Sequence, residues 1–431
     1  MKTLLVAIML MACGWAAAQE EAPAQRVATP QEVAAAEEVA VEEGGAAAET
    51  PELYVSLLTC SPGADAYTLF GHTALRVRIE GREAGDFVFN YGMFNFNADR
   101  FIYRFVKGET DYELGLDEYE RFIGRYTSDG HTVYEQQLNL TLAQRQALWT
   151  FLCINYLPEN RIYRYNCFYD NCTTRAQQAV ERALGEEQFD WSASPDTAAT
   201  TIRQILHQFT APSPWTGFGI DLLVGSEADQ PLTGSRWEGR LFIPSILQAN
   251  LRAATILSPD GKKRPAVLDE QTYPPTAPLE PLPGFPLSPT LTLWLLFVLA
   301  AVVSFIDLRR RSVCLWLDIP LYLLQGTAGL LVAFLFFLSE HPSVDSNWWV
   351  LSLNPLSYLL IAQSISLRLR RKPLLRVGRV DLIEAVNMAA LAFTLLLFCL
   401  PWQWMHPAML PVVLSLLLRS AVHLRAQRLP S

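Results

Sequence analysis

Two cysteines near the middle of the chain are candidates for covalent chemistry. Cys167 and Cys172 lie five positions apart, just before an amphipathic helical pattern. Asp170 and Asn171 are both strong N-cap residue types, so Cys172 falls in the first turn of the predicted helix. The N–H groups and the positive dipole end there favour a thiolate, which is the nucleophilic form of cysteine. Cys172 is therefore the stronger candidate, because Cys167 precedes the cap.

The helix itself is predicted by the spacing of its apolar residues. They follow the i, i+3, i+4, i+7, i+8 pattern, and Gly185 after them is a typical stop signal. The same first-turn N–H groups could stabilise an oxyanion that develops on a nearby carbonyl. The apolar positions are Ala176, Ala179, Val180, Ala183 and Leu184.

A structural interpretation of the two cysteines is equally open at this point. Exported cysteines usually pair in an oxidising compartment, so Cys167 and Cys172 could form a disulfide. Cys60 and Cys153 lie in the same predicted domain, and connectivity cannot be deduced from spacing.

A base for Cys172 must come from the histidines on the same side of the membrane. His72 lies near the start of a predicted strand, on the face opposite Leu75, because Leu75, Val77 and Ile79 alternate with polar or small residues. An isolated histidine is ordinarily a core or turn residue. The other exterior candidates are His131, His207, His341 and His406.

The composition points to a membrane protein. The 431 residues are 51% hydrophobic and the mean hydropathy is +0.16. Residues 1–18 are typical of a signal peptide, although "LMAC", ending at Cys13, could instead be a lipoprotein signal. Residues 19–50 are predicted to be a disordered acidic tether. The tether contributes much of the net charge of −9, which therefore says little about a substrate, and no feature indicates nucleic acid.

The C-terminal third contains five apolar runs of membrane-spanning size. Basic residues lie between the first and second runs, between the third and fourth, and after the last, whereas the other two connections contain no Lys or Arg. The positive-inside rule therefore predicts that the first span is entered from outside and that the tail, residues 425–431, is cytoplasmic. The runs are 289–306, 314–338, 348–366, 382–400 and 407–424, within a predicted five-helix transmembrane domain of residues 289–424.

Between tether and membrane, residues 51–265 are predicted to form one exported domain. Alternating strand patterns come first and helical patterns follow, which indicates an α+β fold. Residues 266–288 are rich in proline and are predicted to be an extended connector.

Several motifs resemble a known enzyme family. "LFGHTALRV", followed about 100 residues later by "YDNCTTR", resembles the circularly permuted papain-like arrangement of lecithin retinol acyltransferase-like enzymes. Together with "FNYGMFNF", "PENRIYRYNCFYDNCTTR", "LFIPSIL" and a multi-span C-terminal domain, they resemble the Lnb-type lipoprotein N-acyltransferases of Bacteroidota. Relatives often have an aromatic residue at the position of Cys167.

The resemblance implies a thiol-dependent acyl transfer at a bacterial inner membrane, on the periplasmic side. The donor would be a membrane phospholipid and the acceptor the α-amine of a diacylated lipoprotein, with no cofactor or metal. By position, Cys172 matches the catalytic cysteine and His72 the histidine. Asn90 or Asp170 could orient the imidazole, and Asn171 completes the catalytic set. Tyr91, Arg175, His341 and Asn354 are the predicted substrate-binding residues.

Three other functions remain open. A phospholipase would use the same thioester with water as the acceptor. A peptidoglycan amidase or peptidase would also use Cys and His but would not need five spans. A membrane-anchored binding module would contain a Cys167–Cys172 disulfide, which would not react with an alkylating agent.

Overall fold

The computed structural model describes residues 52–65, 68–82, 85–94, 99–194, 201–280, 285–310, 313–370 and 377–427. The predicted signal peptide and tether, residues 1–18 and 19–50, lie outside the described residues. The described chain forms two compact units. The first, here the sheet unit, contains residues 52–194 and 231–280, and the second, here the helical unit, contains residues 201–230 and 285–427.

Seven antiparallel strands form the main sheet of the sheet unit, in the order β10-β5-β1-β2-β3-β4-β6. A second sheet has the order β7-β8-β9. The strands are β1 Leu53–Cys60, β2 His72–Ile79, β3 Asp86–Met93, β4 Asp111–Glu118, β5 Val133–Leu138, β6 Ile162–Arg164, β7 Gln188–Asp190, β8 Thr255–Leu257, β9 Lys263–Pro265 and β10 Val267–Tyr273.

Thirteen α-helices are described. Those of the sheet unit are α1 Phe101–Lys107, α2 Tyr119–Ser128, α3 Leu142–Tyr156, α4 Cys172–Leu184 and α7 Pro244–Ala253. Those of the helical unit are α5 Ile202–Thr210, α6 Pro214–Leu223, α8 Pro289–Arg310, α9 Leu315–Leu338, α10 Trp349–Ser352, α11 Ser357–Arg370, α12 Val377–Leu397 and α13 Met409–Gln427.

Both faces of the central strands are covered. Leu75 and Val77 of β2 pack on one side in a core that includes Leu148 of α3 and Val180 of α4. On the other side, Ala74 belongs to a smaller core with Phe122 of α2. The alternation in β2 therefore separates two cores, and α4 is held against the sheet by its apolar stripe.

The sheet extends beyond the predicted end of the exported domain at residue 265. Strand β10 pairs with β5, although it lies in the segment predicted to be a connector, 266–288. The prolines that motivated that prediction begin at Pro274. The preceding residues therefore keep the N–H groups that a strand needs.

Residues 201–230 belong to the helical unit rather than to the exported domain in which they were predicted. Arg203 of α5 is buried and forms ion pairs with Asp221 and Asp229 within this segment. Gly225 N–H donates to the Ser343 carbonyl, and Asn347 Nδ2 donates to the Leu222 carbonyl. These polar contacts, which apolar patterning does not predict, join the segment to residues 343–347.

Among the described residues of the helical unit, two helices are long and apolar enough to cross a membrane, α8 and α9. The third predicted run, 348–366, is not one continuous helix, because it breaks between α10 and α11. Proline disfavours helical geometry in the preceding residue, which here is Asn354 before Pro355. Asn354 Nδ2 donates to the Leu351 carbonyl and Asn354 Oδ1 accepts from Leu356 N–H, so this side chain bridges the break.

Candidate active site

The N-terminus of α4 presents Cys172 as the first helical residue. Asn171 is the N-cap, and its Oδ1 accepts hydrogen bonds from Thr173 N–H at 2.8 Å and Thr174 N–H at 3.0 Å. Thr174 Oγ1 accepts from Asn171 N–H in return, which completes a capping box. The Asn171 side chain thus binds the N–H groups of Thr173 and Thr174 and does not bind the N–H of Cys172.

Asn171 also fixes the loop that precedes the helix. Its Nδ2 donates to the carbonyls of Cys167 and Phe242, both at 2.9 Å, and the residue is buried. Of the two cap candidates in the sequence, Asn171 and not Asp170 therefore caps the helix. The position of Cys172 therefore depends on Asn171, whose Oδ1 binds the helix amides and whose Nδ2 binds the carbonyls of Cys167 and Phe242.

His72 is the first residue of β2 and is oriented by the adjacent strand. Its Nε2 lies 2.6 Å from Oδ1 of the buried Asn90 on β3. Its ring stacks on that of Tyr126 with 5.9 Å between centroids. Since an amide oxygen only accepts, Nε2 carries the proton, and Nδ1 is left unprotonated as the acceptor for a thiol.

His72 and Cys172 interact with each other, and each shifts the pKa of the other. Burial favours the neutral thiol, but the charge and hydrogen bond of His72 act in the opposite direction, and the net result of the surroundings is a lowered pKa of Cys172. Hydrogen bonds from Thr73 N–H and Thr173 Oγ1 lower this pKa further. Burial likewise favours neutral His72, yet the Cys172 thiolate and Asn90 raise the pKa of the imidazole. Both shifts favour a thiolate–imidazolium pair.

Gly92 lets the backbone of β3 pass close to this pair. Its φ is +94°, a conformation that favours glycine. A Cβ at this position would lie 3.5 Å from Cys172 Cβ and 3.9 Å from His72 Cε1. Gly92, Tyr126 and Thr73 are not predicted from the sequence to belong to this site. The only local signal was the glycine two residues after Asn90.

Asp170 forms an ion pair with Arg175 and not a hydrogen bond with the His72 imidazole. Arg175 donates to both carboxylate oxygens of Asp170, at 2.6 and 2.8 Å, and its guanidinium lies 3.6 Å from the Tyr163 ring centroid. Asn90, not Asp170, therefore occupies the third position of the arrangement. Arg175, which was expected to contact the substrate, instead contacts Asp170 in the loop before α4 and the ring of Tyr163.

The remaining predicted substrate-binding residues also have partners within the protein. Tyr91 is buried, and its hydroxyl donates to Asn155 Oδ1 at 2.6 Å. His341 and Asn354 belong to the helical unit. The backbone N–H of His341 donates to Ser339 Oγ, and Asn354 bridges the break between α10 and α11.

Cys167 and Cys172 are free thiols, so the predicted alternative of a disulfide between them is not found. Burial raises the pKa of Cys167 to about 12. Burial also raises the pKa of Cys60, which lies opposite His72 in the pairing of β1 with β2. Cys172 is therefore the cysteine of this region whose surroundings favour the thiolate. Among the described residues, no cluster of three or more His, Cys, Asp or Glu side chains is arranged to hold a metal ion.

Comparison with known families matches both parts of the chain. Residues 43–208 match the Lnb N-terminal periplasmic domain, and residues 281–428 match the Lnb transmembrane domain. No curated protein and no solved structure shows significant similarity to the chain. The two matches describe a membrane protein with a periplasmic N-terminal domain, and they are in the same order along the chain as the sheet unit and the helical unit. The chain belongs to the Lnb family.

Proposed function

We propose that this protein is a lipoprotein N-acyltransferase that moves an acyl chain from a membrane glycerophospholipid to a diacylated lipoprotein. The observation that carries the proposal is the Cys172–His72–Asn90 arrangement, with the thiol at a helix N-terminus. The order of histidine strand before cysteine helix is that of the permuted papain-like arrangement, which supports assigning this fold to the sheet unit.

In the first half-reaction, His72 takes the thiol proton and the Cys172 thiolate attacks the ester carbonyl carbon of the phospholipid. The Cys172 N–H donates to the oxyanion that forms, at the positive end of α4. The ester C–O bond then breaks, and the imidazolium gives its proton to the leaving alkoxide. The products are a lysophospholipid and an acyl thioester on Cys172.

In the second half-reaction, the free α-amine of the lipoprotein's diacylglyceryl-cysteine attacks the thioester carbonyl. His72 accepts the proton that the amine loses, and the C–S bond breaks to release the Cys172 thiolate. The product is an N-acylated lipoprotein. Asn90 keeps the His72 ring and its tautomer in place through both halves.

The helical unit would anchor the enzyme in the membrane that contains both substrates. Both substrates are anchored in a bilayer by acyl chains, so an enzyme that acts on them gains from its own membrane domain. We assign it as a multi-pass, five-span domain of the inner membrane, with the sheet unit in the periplasm. The apolar helices of the unit and the distribution of basic residues between the apolar runs support this assignment.

The proposal is tested by mass spectrometry of a lipoprotein N-terminal peptide from cells that lack their own N-acyltransferase. Such cells are complemented with the wild type, Cys172→Ser or Cys167→Ser. We expect the N-linked acyl chain with the wild type and Cys167→Ser, and a free amine with Cys172→Ser. A free amine with an expressed, folded wild type would refute the acyltransferase and leave a phospholipase to be tested.

A further inference from the structure

A cavity of about 270 Å³ lies in the sheet unit, bounded largely by aromatic and aliphatic side chains. It is formed between the end of β3, helix α1 and strands β4 and β6. The proposed mechanism uses none of its lining residues. Those that matter here are Met93, Phe94, Phe101, Thr110, Tyr112 and Ile162.

Two lining residues, Met93 and Tyr112, place the cavity near the candidate nucleophile. Met93 follows Gly92, whose backbone approaches the Cys172 side chain as described above. Tyr112 stacks on Tyr165 with 4.2 Å between ring centroids. Burial, and then the nearby thiols of Cys167 and Cys172, raise the pKa of Tyr112, which agrees with its position close to both.

The charged groups at the cavity are paired with each other. Arg104 Nη2 lies 2.5 Å from Asp111 Oδ2, and Arg161 Nε lies 3.1 Å from Glu113 Oε2. The cations are therefore neutralised by carboxylates, which disfavours a phosphate or carboxylate ligand. Aromatic rings make up much of the remaining wall, with Phe94 lying 4.9 Å from Tyr112 and 5.7 Å from Phe101 between ring centroids. An uncharged, apolar ligand fits these surroundings.

Exposed apolar side chains lie in the cavity lining and on helix α1, which contributes Phe101 to it. Ile162, which lines the cavity, is 58% exposed, and Ile102 and Tyr103 on α1 are 53% and 52% exposed. An apolar chain that enters the cavity past these side chains would meet charged lining residues that are already paired. Apolar surface that leads into a cavity is typical of a binding site for an apolar ligand.

We propose that this cavity holds one acyl chain of the donor phospholipid, and that Met93 and Phe101 help to set which chain length is transferred. The inference rests on the proposed function, since the chain held here would become the thioester on Cys172. The carbonyl end would face Cys172 and the methyl end would lie among the aromatic rings.

Photo-crosslinking tests the cavity without requiring turnover. The full-length Cys172→Ser protein in nanodiscs is irradiated with a phosphatidylethanolamine that carries a diazirine near the end of one acyl chain, and adducts are mapped by peptide mass spectrometry. We expect adducts on peptides containing Met93, Phe101 or Tyr112, reduced several-fold by Met93→Trp. Adducts confined to other parts of the protein, unchanged by Met93→Trp, would overturn the proposal.

Competition between donors tests the chain-length role. The wild type, Met93→Ala and Phe101→Ala receive an equimolar mixture of phosphatidylethanolamines with 14-, 16- and 18-carbon chains and a diacylated lipopeptide. Each buried methylene is worth roughly a fourfold preference, so both enlarged variants should raise the long-to-short product ratio by about that factor or more. Ile154→Ala, on an exposed position of α3, serves as the matched control and should keep the wild-type ratio.

The outcomes separate the cavity from the proposed function. Unchanged product ratios in both variants, with N-acylation retained, would overturn the cavity assignment and leave the acyltransferase intact. Crosslinks at the cavity with no N-acylated product from the wild type would overturn the acyltransferase and leave a lipid-binding cavity.

Discussion

At the residue scale, the proposed chemistry depends on the arrangement of Asn90, His72 and Cys172. Asn90 Oδ1 accepts from Nε2, so Nδ1 is available to the thiol. The pKa of Cys172 is lowered and that of His72 is raised, which widens the pH range in which the thiolate–imidazolium pair exists. The lower limit of that range is the pKa of Cys172, which His72 lowers, and the upper limit is the pKa of His72, which the thiolate and Asn90 raise.

Selective alkylation should reveal this pair. At pH 7, iodoacetamide should modify Cys172 faster than Cys167, because the pKa of Cys167 is about 12 whereas that of Cys172 lies below the ordinary thiol value. In His72→Ala, the midpoint of the pH dependence of Cys172 alkylation should move upward. The measurement is peptide mass spectrometry over a pH series, and equal rates at the two cysteines in the wild type would contradict the assignment.

Asn90→Ala should lower kcat by roughly 10- to 100-fold, because a poorly oriented base loses part of the contribution of general base catalysis. Asn90 raises the pKa of His72, so its removal should lower that pKa and shift the alkaline limb of the pH–rate profile to lower pH. A shift of the pH–rate profile would show that Asn90 acts on His72, because a purely structural role of Asn90 would lower the rate without moving the limb. Asn139→Ala, which removes an amide elsewhere in the sheet unit, is the control and should leave the limb in place.

The sequence predicted Cys172 more securely than its partners. Helical periodicity and the cap residues are local signals, and they place Cys172 in a first turn. Choosing between Asn90 and Asp170 requires the strand register. Leu75 pairs with Phe89, so His72, three residues earlier, comes level with Gly92, and Asn90 lies on the same face. Asp170 is close to Cys172 in sequence, but its carboxylate pairs with Arg175, a contact that residue types alone do not determine.

At the scale of elements, the N-terminus of α4 depends on one side chain. Asn171 accepts from two helix amides and donates to two loop carbonyls. The cap therefore connects the helix to the loop that contains Cys167 and to the segment around Phe242. The free energy of this connection should be measurable in the stability of the sheet unit.

Asn171→Ala should lower the free energy of unfolding by about 1–2 kcal/mol through loss of the N-cap. The loss of the two loop hydrogen bonds should lower it further. Asn171→Ser is the matched variant, because its hydroxyl can accept from the helix amides but cannot donate to both loop carbonyls. We expect the melting temperature, measured in detergent by tryptophan fluorescence, to fall in the order wild type, Asn171→Ser, Asn171→Ala. Equal melting temperatures for all three would show that the cap contributes little.

The predicted elements differ from the observed ones where a proline, or contacts between residues distant in sequence, override hydropathy and periodicity. Strand β10 was assigned to the connector because prolines follow it, yet its own residues pair with β5. The run 348–366 was predicted as one span on hydropathy, which does not register the effect of Pro355 on Asn354. Residues 201–230 join the helical unit through Arg203 and the Gly225–Ser343 contact, which no periodicity indicates.

At the scale of the whole molecule, a periplasmic α+β unit and a helical membrane unit are encoded in one chain. Charge distribution predicts the topology of the second unit, because basic residues cluster in alternate connections. Buried charges within it pack helices together, as when Arg419 of α13 pairs with Asp307 of α8 and Asp318 of α9. Such a pair costs stability when broken and so favours one arrangement of these helices.

Cysteine accessibility tests the topology. Asp345→Cys, in an exposed loop position, should react with a membrane-impermeant maleimide added to intact spheroplasts, whereas Lys372→Cys should react only after permeabilisation. The parent protein, without either added cysteine, measures the background from native thiols. Labelling of Lys372→Cys from outside would contradict the predicted orientation.

The central claim is that Cys172 carries the acyl group as a thioester. The most direct measurement is intact mass spectrometry of the full-length Cys167→Ser protein after incubation with phospholipid and no acceptor. The account predicts one added acyl mass on Cys172 that hydroxylamine removes and that a diacylated lipopeptide takes up as an N-linked chain. Release of lysophospholipid without an adduct, or an adduct that the lipopeptide does not discharge, would contradict it.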